Sequence, residues 1–331
     1  MKALVYTGPN TVAYRSEPDP VPLPGEVLVK VDAVGICGSD MHAYHGFDER
    51  RPAPLILGHE ASGVVLTGAN AGQRVTINPL VTCGTCDLCL GGRSHLCRSR
   101  QIISMMPRPG AFAEIVRIPE QNTVEIPAGF DTIKAALAEP VAVSYHAVNN
   151  GLRALHRPIS QATCVVIGGG AIGLAAALVL AMHGAHAITV ADPNAARRKT
   201  VERSGPFKTY AGGTAQVPAD VSADLVIDAV GADATRADAC RLVKPGGVIV
   251  HIGLLPGSAG VDVRKLTLQE LTFVGAYCYT MVDFRDSVAA LATGRLGDLS
   301  WFEERPLADG ATAFRDIDNG RTGAAKIILR P

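Results

Sequence analysis

Short strand-like apolar runs, KALVYT, GEVLVKVDAVG with valine at every second position, GVVLTG, QRVTINP and AFAEIVRIP, are separated by Gly and Pro. That pattern predicts short strands in a β-rich first third. From about Val141 the character changes. VVIG leads into AIGLAAALVLAMHGA, AITVAD into NAARRKTVERSG, and DLVIDAVG into ATRADACRLV; a turn at KPGG then precedes VIVHIGL. Apolar strands alternating with helix-length segments predict parallel βαβ units covered by helices on both faces. After about Gly275 the pattern mixes again, with a helix expected at FRDSVAALATG and a closing strand at AKIILRP.

One stretch competes with this reading. Cys164 to Met182, CVVIGGGAIGLAAALVLAM, carries no charge and has the length of a membrane span. Three glycines divide it into a β-branched run and an Ala/Leu-rich run, which a strand, a tight turn and a buried helix explain better. At 331 residues the chain exceeds what one core usually spans, so two domains are expected. Lys+Arg and Asp+Glu balance at 31 each, which leaves no electrostatic footprint for nucleic acid or an anionic membrane. MKALVYTG lacks the basic-then-apolar order of a secretory signal. The expectation is a soluble, cytoplasmic protein.

The glycine turn is the first chemical signal. Gly168 to Gly173, GGGAIG, is a G-x-G-x-x-G that follows a predicted strand and opens a predicted helix. Gly168 permits the tight turn, Gly170 lets a pyrophosphate approach the backbone, and Gly173 lets helix pack on strand. The free N–H groups of the helix start, at Ala171 and Ile172, favour phosphate. Asp192 ends the second strand, where a carboxylate binds the adenosine ribose and repels a 2′-phosphate. NAD is therefore expected, with Arg197 and Arg198 keeping NADP open. The plain alternative is glycines used for packing, with Asp192 as a helix N-cap.

Four of the eight cysteines, Cys83, Cys86, Cys89 and Cys97, form C-x2-C-x2-C-x7-C. Such a cluster without a secretion signal reads as a metal site. Four thiolates close a tetrahedral zinc shell and leave no position for substrate, so the expected role is structural. A redox switch is the alternative. His95 lies inside this loop and is expected at the surface. Elsewhere Cys37, His59, Glu60 and Glu139 interrupt apolar or small residues, where an unpaired charge is expensive. Cys37, His59 and a carboxylate have the mixed donors of a catalytic zinc.

GICGSDMH, GHEASG, the four-cysteine loop, LAEP and GGGAIG, in that order, resemble the zinc-dependent medium-chain dehydrogenases of the alcohol dehydrogenase superfamily. The resemblance runs along essentially the whole chain and is closest to the polyol (sorbitol-like) and threonine dehydrogenase branch. It implies an α/β protein with a GroES-like, β-rich catalytic domain from residues 1–140 and 276–331, including a structural zinc lobe at about 80–100. A doubly wound Rossmann domain, 141–275, is inserted, with the active site in the cleft between the two. It implies two Zn2+ per chain. Cys37, His59 and either Glu60 or Glu139 would hold the catalytic ion, and Asp40 would orient the ligand histidine. Ser39 would take the substrate proton and pass it by way of the nicotinamide ribose to His42. Ile252, Gly253, Leu254, Ala276 and Tyr277 match segments at the nicotinamide end.

The implied reaction is oxidation of a secondary alcohol to a ketone with hydride transfer to NAD, on a polyol or sugar alcohol. L-Threonine and simple alcohols are the alternative substrates. Homodimers or homotetramers are implied, paired near LTFVGAY. Three rival readings make different demands on the chain. A zinc-free quinone reductase would lack both metal constellations, a zinc-ribbon nucleic-acid binder would lack the nucleotide turn, and an NAD-sensing regulator would lack ligands or relay groups.

The remaining residues have plainer readings. Ser39 is also placed to cap a helix starting at about Asp40, and His45 is expected at the surface. Cys164, Cys240 and Cys278 read as buried residues of strands or helices, and His146, His156, His183, His186 and His251 as structural. Gln73 replaces the acid of the family's G-D-R-V, which affects a loop. YHGFDERRPAP is expected to shape the pocket mouth.

Overall fold

The computed structural model describes residues 1–213 and 223–331. The first part is strand-rich: β1 (Lys2–Gly8), β2 (Thr11–Ser16), β3 (Glu26–Gly35), β4 (Leu55–Ile56), β5 (Glu60–Val65), β6 (Arg74–Ile77), β7 (Leu80–Val81), β8 (Gln101–Ile102), β9 (Ile115–Pro119) and β10 (Thr123–Glu125). Between them and after them come α1 (Gly38–Tyr44), α2 (Asp87–Leu90), α3 (Thr132–Ala135) and α4 (Ala138–Ala154). In β3 the predicted alternation is visible: Val27, Val29 and Val31 are buried while Lys30 is exposed. A register shift between Val31 and Ala33 ends the alternation. Ala33, Val34 and Gly35 are then all buried, and the chain runs from there into the site.

The second part is β11 (Thr163–Ile167), α5 (Ala171–Met182), β12 (Ala187–Ala191), α6 (Ala195–Ser204), β13 (Lys208–Tyr210), β14 (Ala223–Asp228), α7 (Asp233–Leu242), β15 (Val243–His251), α8 (Val263–Leu268) and β16 (Thr272–Gly275). These strands are parallel, in the order β13-β12-β11-β14-β15-β16. That is the doubly wound order, whose crevice opens at the carboxyl ends of β11 and β14. The uncharged stretch divides as expected into β11, a glycine turn and α5. Among the described residues no helix is long and apolar enough to cross a membrane. KPGG differs from its expectation. It lies within β15, where pairing passes from Ala223↔Val243 to Leu225↔Val248, so Lys244 to Gly247 are absorbed as a bulge.

The chain ends with α9 (Met281–Ala292), β17 (Phe302–Pro306), α10 (Gly310–Asp318) and β18 (Lys326–Arg330). β18 pairs antiparallel with β3, and β17 parallel with β18, completing the sheet order β10-β6-β5-β3-β18-β17 with β9 also on β3. The last strand of the chain is thus a neighbour of the strand that leads to Cys37.

α4 and α9 join through a buried polar contact. His146 Nδ1 donates to Asp283 Oδ2 at 2.8 Å; the Thr280 N–H and hydroxyl donate to the same oxygen, and that hydroxyl caps α9 by accepting the Asp283 N–H. His95 is not at the surface. It is buried, with its ring edge on His146 at 4.9 Å between centroids, because the cysteine lobe docks on this junction. Burial opposes ionisation of Asp283, but His146 and Thr280 outweigh it and hold the carboxyl below its usual value of 3.8. A depressed folded-state pKa stabilises above the unfolded value and is lost as pH falls through the folded one. Asp283→Asn is expected to lower stability by about 2 kcal/mol near neutral pH. In unfolding experiments across pH, that deficit narrows below about pH 4. A deficit constant down to pH 2 would contradict the assignment.

Candidate active site

β3 and β5 pair Gly35 with Glu60, which brings GICGSD and GHE together. Cys37, in extended conformation, is the N-cap of α1, so Ser39 lies inside the first turn rather than at the cap. Asp40 is fully buried. It accepts the Cys37 N–H at 3.0 Å and the Gly58 N–H at 3.3 Å, and its Oδ1 lies 3.7 Å from His59 Nδ1. The Ser104 hydroxyl is nearer to that nitrogen, at 3.4 Å. With Nδ1 faced by oxygens, Nε2 of His59 is left for a metal.

Cys37 Sγ, a His59 ring nitrogen and a Glu60 carboxylate oxygen lie within 4.8 Å of one another. Glu60 Oε1 accepts from Lys326 Nζ at 2.6 Å, and Lys326 also donates to Ile36 O at 2.9 Å. Glu60 Oε2 is buried and makes no hydrogen bond among the described residues. It lies over Gly35, where an added Cβ would come within 2.1 Å of it, so the glycine is the space the carboxylate occupies. Glu139 stands in the first turn of α4 and accepts from the Tyr279 hydroxyl at 2.8 Å. It lies outside the 4.8 Å set but lines the cleft, whereas Glu60 does not.

The electrostatics suit a cation. Burial lowers the His59 pKa, yet Cys37 and Asp40 raise it well above its ordinary value. Burial and the neighbouring Glu60 push Glu139 up to about 7 against His59, Tyr279 and Lys326. The donor set, the orphaned oxygen and the surplus of acids fit a divalent metal with mixed ligands.

Cys83, Cys86, Cys89 and Cys97 also converge. Sulfurs bound tetrahedrally at about 2.3 Å from one zinc lie about 3.8 Å apart; Cys83–Cys89 and Cys83–Cys97 are at 3.8 and 3.5 Å. The thiols are free. The backbone N–H groups of Thr85 and Cys86 hold the Cys83 thiol down to about 6, while desolvation and Cys86 raise Cys89 to about 11. A bound cation would let all four ionise together.

Both metal-ligand segments and the glycine turn face one cleft of about 670 Å³. Its wall includes Cys37, Ser39, His42, His59 and Glu139, together with Gly168, Gly170 to Gly173, Ile252 to Leu254, Ala276, Tyr277, Asp192 and Arg197. Gly168 has φ +102°, and a Cβ on Gly173 would lie 1.7 Å from Gly168 O. Asp192 is clamped by the Gly169 and Asn194 N–H groups, each at 2.8 Å, and Asn194, not Asp192, caps α6. Arg198 is committed to the carbonyls of Asp192 and Pro193, which leaves Arg197 on the cleft.

His45 is part-exposed on the cleft wall, 2.7 Å from Asp318 of α10. The reading of Cys278 needs correction. Cys278 sits in neither strand nor helix: it is half-buried between β16 and α9 at φ +47°, lining the cleft. Lys326, Tyr279 and Ser104 belong to none of the motifs, and Arg51 was covered only as part of YHGFDERRPAP. Lys326 left a trace as a charge at the head of the apolar run IIL. Tyr277 lies under the Arg100 guanidinium at 4.9 Å.

A dinucleotide turn and a mixed sulfur, nitrogen and oxygen donor set at one cleft serve hydride chemistry, the property of metal-dependent alcohol dehydrogenases. The alcohol dehydrogenase GroES-like domain model matches residues 23–128, and the zinc-binding dehydrogenase model matches 171–293. The chain belongs to the zinc-dependent medium-chain dehydrogenases, in the branch of polyol and threonine dehydrogenases. It is 32% identical to the 2-dehydro-3-deoxy-L-galactonate 5-dehydrogenase of Pseudoalteromonas atlantica, over 93% of this chain and 92% of that one. It is likewise 32% identical to the L-galactonate-5-dehydrogenase of Escherichia coli K12, over 97% and 96%. An alcohol dehydrogenase of Escherichia coli CFT073, solved with NADH, shares the fold at a TM-score of 0.90 and 26% identity, covering 100% and 99%.

Proposed function

We propose that this protein oxidises a secondary alcohol carbon of a polyhydroxylated chain, a sugar alcohol or sugar acid, to a ketone at the expense of NAD. The observation that carries this is the Cys37, His59 and Glu60 donor set, whose Cys37 and His59 line the same cleft as the glycine turn and Asp192. The galactonate dehydrogenases among the relatives support the substrate class.

Cys37, His59 and Glu60 would hold the catalytic zinc, with Glu139 as the alternate carboxylate, and the four clustered cysteines would hold the structural one. When bound, the catalytic zinc supplies a Lewis acid that lowers the pKa of the substrate hydroxyl. When bound, NAD supplies the hydride acceptor. Ser39 takes the hydroxyl proton and its own proton passes on towards His42. Burial lowers the His42 pKa against the pull of Asp48, so the ring is neutral and able to accept. Asp40 holds the Cys37 and Gly58 backbone in place. Asp192 repels a 2′-phosphate and favours NAD, with Arg197 the one route to NADP.

Residues 1–140 and 276–331 act as the catalytic domain and 141–275 as the cofactor domain. Pairing of β18 with β3, and β16 as the last strand of the parallel sheet, support that division. Among the described residues β16 is the outermost strand of its sheet, a position suited to pairing with a second copy, as a homodimer or homotetramer. A cytoplasmic location belongs to the same reading, supported by the free cysteines.

The test is turnover by purified protein with NAD or NADP on polyols, sugar acids, simple secondary alcohols and L-threonine, before and after prolonged chelation, with zinc measured. Chelator-sensitive reduction of NAD by a polyol or sugar acid is expected. Absence of turnover on every class, from protein holding two zincs per chain, would sink the enzyme reading in favour of an NAD sensor.

A further inference from the structure

Arg51 is a buried cation in the segment between the first two ligand motifs. It is 2% exposed. Its Nε donates to Ser104 O at 2.9 Å, and Nη1 to Ser39 O at 3.0 Å and Asp48 Oδ2 at 2.7 Å. Its Nη2 donates to Ser39 Oγ at 3.3 Å and Ser104 Oγ at 3.4 Å. Asp48 also grips Arg50, at 2.8 and 2.9 Å. A guanidinium taken out of water is tolerated where its donors are filled. Here they are filled by one carboxylate and two serines.

Both serines adjoin the chemistry. Ser39 lines the cleft, and Ser104 Oγ is 3.4 Å from His59 Nδ1. Ser104 is fully buried at φ +73°, a conformation that a non-glycine residue keeps when its surroundings over-determine it. Arg51 fixes it there through both the carbonyl and the hydroxyl. A guanidinium accepts no hydrogen bond, so it is the donor in both hydroxyl contacts. Each serine presents a lone pair to Arg51 and turns its O–H hydrogen away from it. Ser39 then keeps a second lone pair for the substrate proton while its own hydrogen points elsewhere, the arrangement a relay hydroxyl needs.

We propose that Arg51 is a positioning residue of this active site. By donating to Ser39 Oγ and Ser104 Oγ together, it sets the direction of the Ser39 hydroxyl and the pose of His59. Its nitrogens are taken up by protein groups, so it acts through those neighbours. The proton balance is simple: an O–H bond forms at Ser39 as the substrate O–H breaks, and the former Ser39 proton leaves towards His42. The inference rests on Ser39 being the hydroxyl that takes the substrate proton.

The test is a double-mutant cycle of Arg51→Lys and Ser39→Ala in the full zinc-loaded protein, with kcat, KM, zinc content and thermal unfolding measured. Arg51→Lys is expected to lower kcat about 10- to 100-fold, as a small misplacement does, with KM within about threefold and two zincs retained. Added to Ser39→Ala, it lowers kcat by less than about threefold more, because the two act as a unit. Losses that multiply, a loss carried in KM, or kcat within about twofold of wild type would each overturn the role of Arg51 and leave the relay standing. Ser39→Ala at the wild-type rate would instead overturn the relay, and the proposal with it. Arg51→Gln, which also removes the charge facing Asp48, is run alongside; if it does not fold, the lysine cycle decides.

Discussion

Replacing Lys326 by methionine lowers the stability of the folded protein by about 3–5 kcal/mol, the usual cost of stranding one member of a buried ion pair. Lys326 is buried and gives its ammonium to Glu60 at 2.6 Å and to the Ile36 carbonyl at 2.9 Å. Burial disfavours its charge, but Glu60 and then Cys37 outweigh that and keep its pKa raised. Without it, in the metal-free protein on which the measurement is made, the buried Glu60 carboxylate is left with no cation. Lys326→Met combined with Glu60→Gln therefore recovers much of the loss, since the two contribute as a pair. Denaturant unfolding of the three variants decides it. A single variant within about 0.5 kcal/mol of wild type would show that the pair does not hold this corner of the fold together.

His59→Ala has its large effect on turnover. Losing a Lewis acid worth several kcal/mol lowers kcat/KM about 10³-fold or more, at tenfold per 1.4 kcal/mol. Zinc falls from two per chain to one, and the cysteine lobe is spared. Cys83→Ser is the control: the same zinc count, but with the loss appearing as thermal instability of a lobe whose sulfurs lie 3.5–3.8 Å apart. Metal analysis with steady-state kinetics on both variants separates the sites. Equal activity losses at equal stability would contradict the division of roles.

Much of this site was legible from residue order alone, for a physical reason in each case. Gly168 at positive φ and Gly173 against a carbonyl oxygen are positions where a side chain does not fit, so the turn must be written in glycine. The four cysteines lie within one short loop, and their spacing nearly specifies their convergence. Other features were hidden because their causes lie far away in the chain. α4 carries a proline in its first turn, valines and an internal glycine, and no helix was expected there. Pro140 sits where a missing N–H costs nothing, and burial of Val141, Ala142, Ala147 and Val148 supplies what propensity does not. KPGG reads as a turn, but the pairing of β14 with β15 on both sides of it turns it into a bulge. His95 looks like a surface residue until the lobe docks on His146.

The sequence by itself determined the α/β pattern, the nucleotide turn and the cysteine cluster, because each depends on local chemistry or short spacing; for Cys37, His59 and the two glutamates it offered candidates from separate segments. Only the tertiary structure decided what surrounds them. Lys326 meets Glu60 because the last strand lies beside β3, and Tyr279 meets Glu139 because the segment before α9 returns to the start of α4. Arg51 reaches Ser39 and Ser104 because a loop folds inward over α1. These contacts span up to 266 residues of chain. A buried charge selects its partner by proximity in space and by the lack of water there, and neither is written in the order of residues.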